Sequence, residues 1–164
     1  MSHQATLTYT EPLLRRAVFA FWRRTVGIDL LIATAIVAGA LAFFLLQGDS
    51  SWRVGVLATV LMLAITFAPA IYVVHYRNTM AKLRNMGNPQ AILRAEESSF
   101  SVTSGIVSST LQWSSIMEVW CFPEFWLLLF SKAQFMTVPL STLSPDMQTF
   151  VLQQVKAAGG KVIG

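Results

Sequence analysis

Two uninterrupted apolar runs constrain this chain more than anything else in it. Residues 28–46, IDLLIATAIVAGALAFFLL, carry a single charge, Asp29, near their start. Residues 54–74, VGVLATVLMLAITFAPAIYVV, carry none. A helix needs about 20 apolar residues to cross the hydrocarbon core of a bilayer, and both runs reach that length. A soluble fold would have to bury both, and the polar sequence left over in 164 residues cannot cover two such helices. Composition agrees: 12% of the residues are charged, against roughly 25% in an average soluble domain. Both runs are therefore predicted to span a membrane. The first starts too late and is too long for a secretory signal peptide, and no small-residue cleavage pattern follows it.

Only QGDSSWR, residues 47–53, joins the runs. Its Gly, Asp and Ser suit a tight turn among headgroups, so the spans form a hairpin whose two ends share one side. Arg15, Arg16, Arg23 and Arg24 precede the first span, and Arg77, Lys82 and Arg84 follow the second. In the loop, Asp49 and Arg53 cancel. Basic residues are retained on the cytoplasmic side, so both termini are expected there, in a multi-pass protein of a bacterial inner membrane. Asp29 is expected at the interface, within reach of Arg23 or Arg24. A proton relay through it would need an ionisable partner, and the second span offers none. Thr34, Ala38 and Ala42, with Ala35 and Gly39, are small residues at four-residue spacing, which lets helices approach closely and suits homo-oligomers. Pro69 is expected to kink the second span, with the neighbouring helix sheltering the carbonyl it frees.

Residues 1–26 are read as a short strand, 4–9, followed by a basic amphipathic helix. Thr10 can cap that helix, with Glu11 in its first turn and Pro12 tolerated there. Leu14, Ala17, Val18, Phe21 and Trp22 recur at helical spacing, with Arg16 and Arg23 opposite. Phe19 falls on the polar side and breaks the pattern. Such a helix beside a span is expected in the membrane interface. Its arginines, with Arg77, Lys82 and Arg84, are candidates for contact with anionic headgroups, although setting topology explains them as well. Residues 27–75 form the hairpin. Residues 76–89 carry the second helix out of the membrane until Gly87 and Pro89 stop it.

From residue 90 the pattern changes to short runs rich in β-branched and aromatic residues. Strands are predicted near 91–97, 100–103, 106–113, 116–121, 126–130 and 135–138, broken at Ser104-Gly105, at Phe122-Pro123-Glu124 and at residues 131–134. FWLLLF, residues 125–130, is too short to span as a helix and reads as a buried strand. A helix then opens at Ser144, a good N-cap, with Pro145 and Asp146 in its first turn. Met147, Phe150, Val151 and Val155 give it one apolar face, and Gly159 and Gly160 end it. The predicted fold class is a two-helix transmembrane hairpin with a small antiparallel β-domain, residues 90–164, closed by a C-terminal helix. The N-terminal strand is a candidate to extend that sheet.

The run SFSVTSGIVSSTLQWSSIMEVW, then FWLLLF, then FMTVPLSTL and a closing helix resembles the YcxB-like bacterial membrane proteins. The Gly105 turn, Trp113 three residues before Ile116, Val138-Pro139, and the opening LTYTEPLLRRAVFAFWRR carry the resemblance. It implies two membrane helices and a C-terminal domain of the PH-like type, and it implies no catalytic residues. Leu140 follows the proline where a basic residue is common in the family, which removes a basic ligand edge there.

No nucleophile and base are spaced for catalysis. Ser108, Ser109, Ser114 and Ser115 have no histidine near them in sequence, and Glu118 and Glu124 flank a hairpin as solvated residues would. His3 and His75 are the only histidines and Cys121 the only cysteine, so no metal or cofactor site and no intrachain disulfide is expected. Trp113, Trp120 and Trp126 read as core, with a membrane-surface place for Trp120 or Trp126 as the alternative. The basic residues flank apolar runs rather than line a folded hydrophilic face, which argues against nucleic acid as a partner. The expected function is a membrane-anchored module that binds a protein or an anionic lipid without catalysis. The alternative is a small immunity or regulatory protein that neutralises a membrane-active toxin. Single cysteines at Ser50 and Lys161, in a Cys121→Ser background, test the topology. An impermeant thiol reagent on intact cells should label position 50 and spare position 161, and the reverse pattern would overturn it.

Overall fold

The computed structural model describes residues 3–164. Two long apolar helices are followed by a sheet domain and a C-terminal helix, as predicted. The chain divides into two compact units, one of residues 3–17 with 79–164 and one of residues 18–78.

The first unit holds two four-stranded sheets. Strand β1 (His3–Thr8) pairs antiparallel with β2 (Gln90–Ala95), across more than eighty residues of sequence. β3 (Ser99–Ser104) and β4 (Val107–Gln112) complete the order β1-β2-β3-β4. The N-terminal strand thus does extend the sheet. Tyr9 N–H donates to the Pro89 carbonyl at 2.8 Å, so the ladder continues to where the chain leaves and re-enters this unit. The second sheet has the order β7-β6-β5-β8, with β5 (Glu118–Cys121), β6 (Phe125–Ser131), β7 (Gln134–Pro139) and β8 (Lys161–Ile163). β8 was not foreseen, and it runs parallel to β5. The domain is therefore not purely antiparallel.

The inward faces alternate as the side-chain period of two requires. Leu7, Leu93, Ala95 and Phe100 are buried on the first sheet. In β6 every residue from Phe125 to Leu129 is buried, the signature of a strand covered on both faces. The predicted strand at 106–113 ends earlier, at Gln112. Trp113 opens a 3-10 turn (Trp113–Ser115), and the next strand starts at Glu118 rather than Ile116. Trp113 and Ile116 are both buried at this switch between sheets. The Trp113 indole N–H donates to the Glu96 carbonyl at 2.9 Å. Trp120 and Trp126 are buried too, which rules out the membrane-surface place considered for them.

The closing helix α3 (Pro145–Ala157) forms for the reasons visible in sequence. Ser144 Oγ accepts from the Met147 N–H at 3.2 Å, with Pro145 in the first turn. Met147, Val151 and Val155 are buried. Phe150 packs on His3 and Trp113. The glycines after α3 do more than stop it. A Cβ on Gly160 would lie 2.6 Å from Val155 Cγ1 and 2.8 Å from the Ile116 carbonyl oxygen, so only glycine lets the chain turn back beside β5 to form β8.

The second unit contains most of helices α1 (Glu11–Leu46) and α2 (Trp52–Asn85). Both are long and apolar enough to cross a membrane, and none of either apolar window is buried inside the protein. That exposure separates them from core helices of a soluble fold. The half-buried positions recur at alternating spacings of three and four: Leu30, Thr34, Val37, Leu41 and Phe44 on α1, and Val54, Leu57, Leu61, Ala64, Ala68, Ile71 and His75 on α2. These positions mark one side of each helix, and the side-chain contacts between the helices lie where Phe19, Phe21 and Trp22 meet Ala68, Tyr72 and His75. Thr34 and Ala38 lie on that side, whereas Ala35, Gly39 and Ala42 are exposed. α1 breaks at Gly27, with φ 66° and ψ 168°, between its basic segment and the span. An L-residue side chain is strained in that conformation, so the glycine fixes the break.

The apolar stripe of the basic segment is a run of buried positions. Leu14, Ala17, Val18 and Phe21 are buried within the protein. Phe19 is not misplaced, since it packs on Trp22 and on Tyr72 of α2. Near Pro69 the Trp22 indole N–H donates to the Ala68 carbonyl at 2.6 Å. That bond is to Ala68, not to the Ile65 carbonyl four residues before the proline, which is the one Pro69 deprives of its helical donor. At the far turn, Asp49 Oδ1 accepts from the Ser51 N–H at 2.7 Å, and that bond holds the Asp49 carboxyl below its ordinary range.

Two outcomes follow for stability. Gly160→Ala should cost about 1–3 kcal/mol by overpacking, read as a lowered denaturation midpoint. Gly164→Ala, whose Cβ would meet Cys121 Cβ at an ordinary 3.6 Å, should be neutral. Tyr9 gives a pH signature. Its hydroxyl donates to the Thr137 carbonyl at 3.2 Å, and burial pushes its pKa up to about 12. In the unfolded chain it ionises near its ordinary value of 10. Between pH 10 and 12 the unfolded state therefore loses a proton that the folded state keeps, and stability falls across that window. The scale is on the order of 2–3 kcal/mol. Tyr9→Phe should flatten this alkaline loss relative to the native chain in urea titrations, and an unchanged slope would show that Tyr9 ionises freely when folded.

Candidate interaction surface

The basic residues singled out in the sequence do not converge on one site. Arg16 is committed to Glu124, with its Nη1 2.5 Å from Glu124 Oε2. Both side chains are more than half exposed, so this pair contributes roughly 0–1 kcal/mol. Arg15 is exposed in the same unit. Arg23, Arg24 and Arg77 are exposed in the unit that holds the spans. Lys82 and Arg84 are exposed in the last turn of α2, where cations suit the negative end of the helix dipole. Asp29 is exposed two residues beyond the Gly27 break.

The acids and nucleophiles are distributed just as widely. Glu118 Oε2 accepts from the Trp120 indole N–H at 2.7 Å. Ser108 and Ser109 lie exposed on β4, and Ser115 Oγ donates to the Gln112 carbonyl at 2.6 Å. Cys121 is half-buried in β5. His75 packs against the Phe21 ring, with centroids 5.1 Å apart. Among the described residues no three His, Cys, Asp or Glu side chains come together.

One surface of the sheet unit stands apart, and the sequence reading missed it. Strand β4 is exposed along all six residues, on both faces. Val107 and Leu111 lie on the face of the first sheet that β2 and β3 bury, in register with Ser104 and Phe100. Phe100 is fully buried, yet Val107 is 64% and Leu111 38% exposed. The core stops one strand short of the edge. At the hairpin tip Ile106 is fully exposed, carried by Gly105 with φ 58°. On the opposite face Thr103 Oγ1 and Ser108 Oγ lie 2.9 Å apart.

β4 is also the terminal strand of its sheet, with no strand paired on its outer side among the described residues. Natural edges are usually blunted by lysine, proline or a bulge. β4 has none of these, and residues 98–117 contain no charged residue at all. That charge-free run was the available signal. It reads as ordinary strand sequence until the burial of each strand is known. Chemically, this edge offers backbone donors and acceptors flanked by small hydroxyls and two apolar side chains, the equipment for adding a strand.

No curated protein and no solved structure matches this chain. The family comparison matches the segment that runs from the end of β2 through most of α3, and so contains β4 and its exposed tip. Residues 96–155 match the family model of YcxB-like protein, the family that the aromatic strands and the closing helix resemble.

Proposed function

We propose that the protein is a membrane-anchored interaction module, without catalysis, that presents a PH-like β-domain for strand addition by a protein partner. The observation that carries this reading is the exposed, uncharged β4 edge with Ile106 at its tip. Two packed sheets and a closing helix support the PH-like assignment, and the two apolar helices support the anchor. Both termini then lie on the cytoplasmic side of a bacterial inner membrane, by the distribution of basic residues around the spans. The exposed Arg15, Arg23, Arg24 and Arg77 serve as topological anchors with affinity for anionic headgroups. The immunity alternative would place the work in residues 47–53, where the notable feature is the local Asp49–Ser51 turn.

A photoreactive residue at Ile106 tests the module in intact cells. It should form a protein adduct, whereas the same residue at Gln153, exposed on α3, should form none. Absence of an adduct at 106, or equal yields at both positions, would remove the reading.

A further inference from the structure

The interaction-module reading leaves open what lies against β4, and the strand's own sequence narrows the choice. We propose that the occupant is β4 of a second copy of this chain, paired antiparallel about a two-fold axis through Ser109. The inference rests on the module reading and adds the identity of the partner.

The backbone sets which residues can pair. The β3–β4 hairpin closes with Ser104 opposite Val107 across the two residues Gly105 and Ile106. In a two-residue hairpin the closing pair exchanges both hydrogen bonds, and such pairs then alternate along the ladder. Val107, Ser109 and Leu111 therefore spend their backbone groups on β3. Ser108, Thr110 and Gln112 direct theirs outward to the free edge.

Self-pairing registers centred on a residue keep buried-side residues with buried-side residues, and within β4 those centred on 108, 109, 110 or 111 pair at least three residues of each strand. Centring on Ser109 places Ser108 of one copy opposite Thr110 of the other, twice by symmetry. Each is a pair in which both residues have outward donors and acceptors, giving about four hydrogen bonds across the junction. The same register sets Val107 of each copy against Leu111 of the other, so both apolar side chains that the core leaves exposed gain a partner. The registers centred on 108, 110 or 111 leave Val107 and Leu111 unmatched with each other.

Electrostatics permits self-pairing with no opposing term. In this register Ser109 faces its own copy, so a charge at the centre would meet its like. Residues 98–117 carry none. A foreign strand selected by charge would find nothing on β4 to read, whereas a second copy needs no such signal. Two copies anchored in one bilayer also meet at raised effective concentration.

The test uses the full chain in its membrane, in a Cys121→Ser background. At the symmetry centre Ser109 faces its own copy in a non-hydrogen-bonded pair, with Cα atoms about 4.5 Å apart, within disulfide reach. Mild oxidation of Ser109→Cys should give a disulfide-linked dimer. Gln112→Cys, exposed on the same strand, is displaced by about 20 Å from its symmetry mate in this register and should stay monomeric. Ser109→Lys, at an exposed position that the fold tolerates, should abolish cross-linking of tagged and untagged copies through a photoreactive residue at Ile106. Failure of Ser109→Cys to dimerise, or equal dimerisation at 112, would overturn the proposal. If Ile106 still yields an adduct of a different protein while Ser109→Cys stays monomeric, the second copy is wrong and the module reading stands. If Ile106 yields no adduct at all, both fall.

Discussion

The ladder between β1 and β2 is the interaction on which this architecture depends. It pairs His3 with Ala95 and Thr8 with Gln90, and Tyr9 N–H extends it to the Pro89 carbonyl. Everything from residue 10 to residue 88 is thereby an excursion that leaves one sheet and returns to the same sheet one hydrogen bond away. A chain so tied must cross any membrane an even number of times within that excursion. Two spans satisfy this without reference to charge. The strand pairing by itself places β1 and β2 on one side, whichever side that is.

The same pairing explains how the aromatic strands and the apolar helices coexist in a short chain. The sheet unit obtains its fourth strand from before the first span, so its core is closed by Leu7 and Ala5 as well as by residues after the second. Trp113 and Ile116 fill the switch between sheets, and β6 is buried on both faces. On the far edge this economy ends. β4 lies beyond the covered area, and its inward-facing Val107 and Leu111 meet solvent. The surface proposed for recognition is thus the place where the sheet is wider than the core beneath it.

The spans, most strands and the closing helix were legible in the sequence because each rests on a local rule. Run length identified the spans, and Ser144 with Pro145 announced α3. What was not legible depended on partners distant in sequence. β8 has only three residues, and it exists because β5 offers a parallel edge and Gly160 has no Cβ. The stripe of Leu14, Ala17 and Val18 was visible from its helical spacing, but amphipathicity does not say what buries it. Phe19 broke a helical pattern judged by one face, whereas α2 supplied a second face through Tyr72. The β4 surface was missed for a similar reason. Alternation tells which residues share a face, not whether that face is covered.

The order of synthesis gives the β1–β2 ladder a further consequence. β1 precedes both helices in the order of synthesis, and its partner emerges only after both have been made. Until then the first strand has no edge to join, and the sheet unit cannot close around Leu7. Folding of this unit is therefore serially dependent on completion of the hairpin, a long-range closure that local sheet pairing would not require.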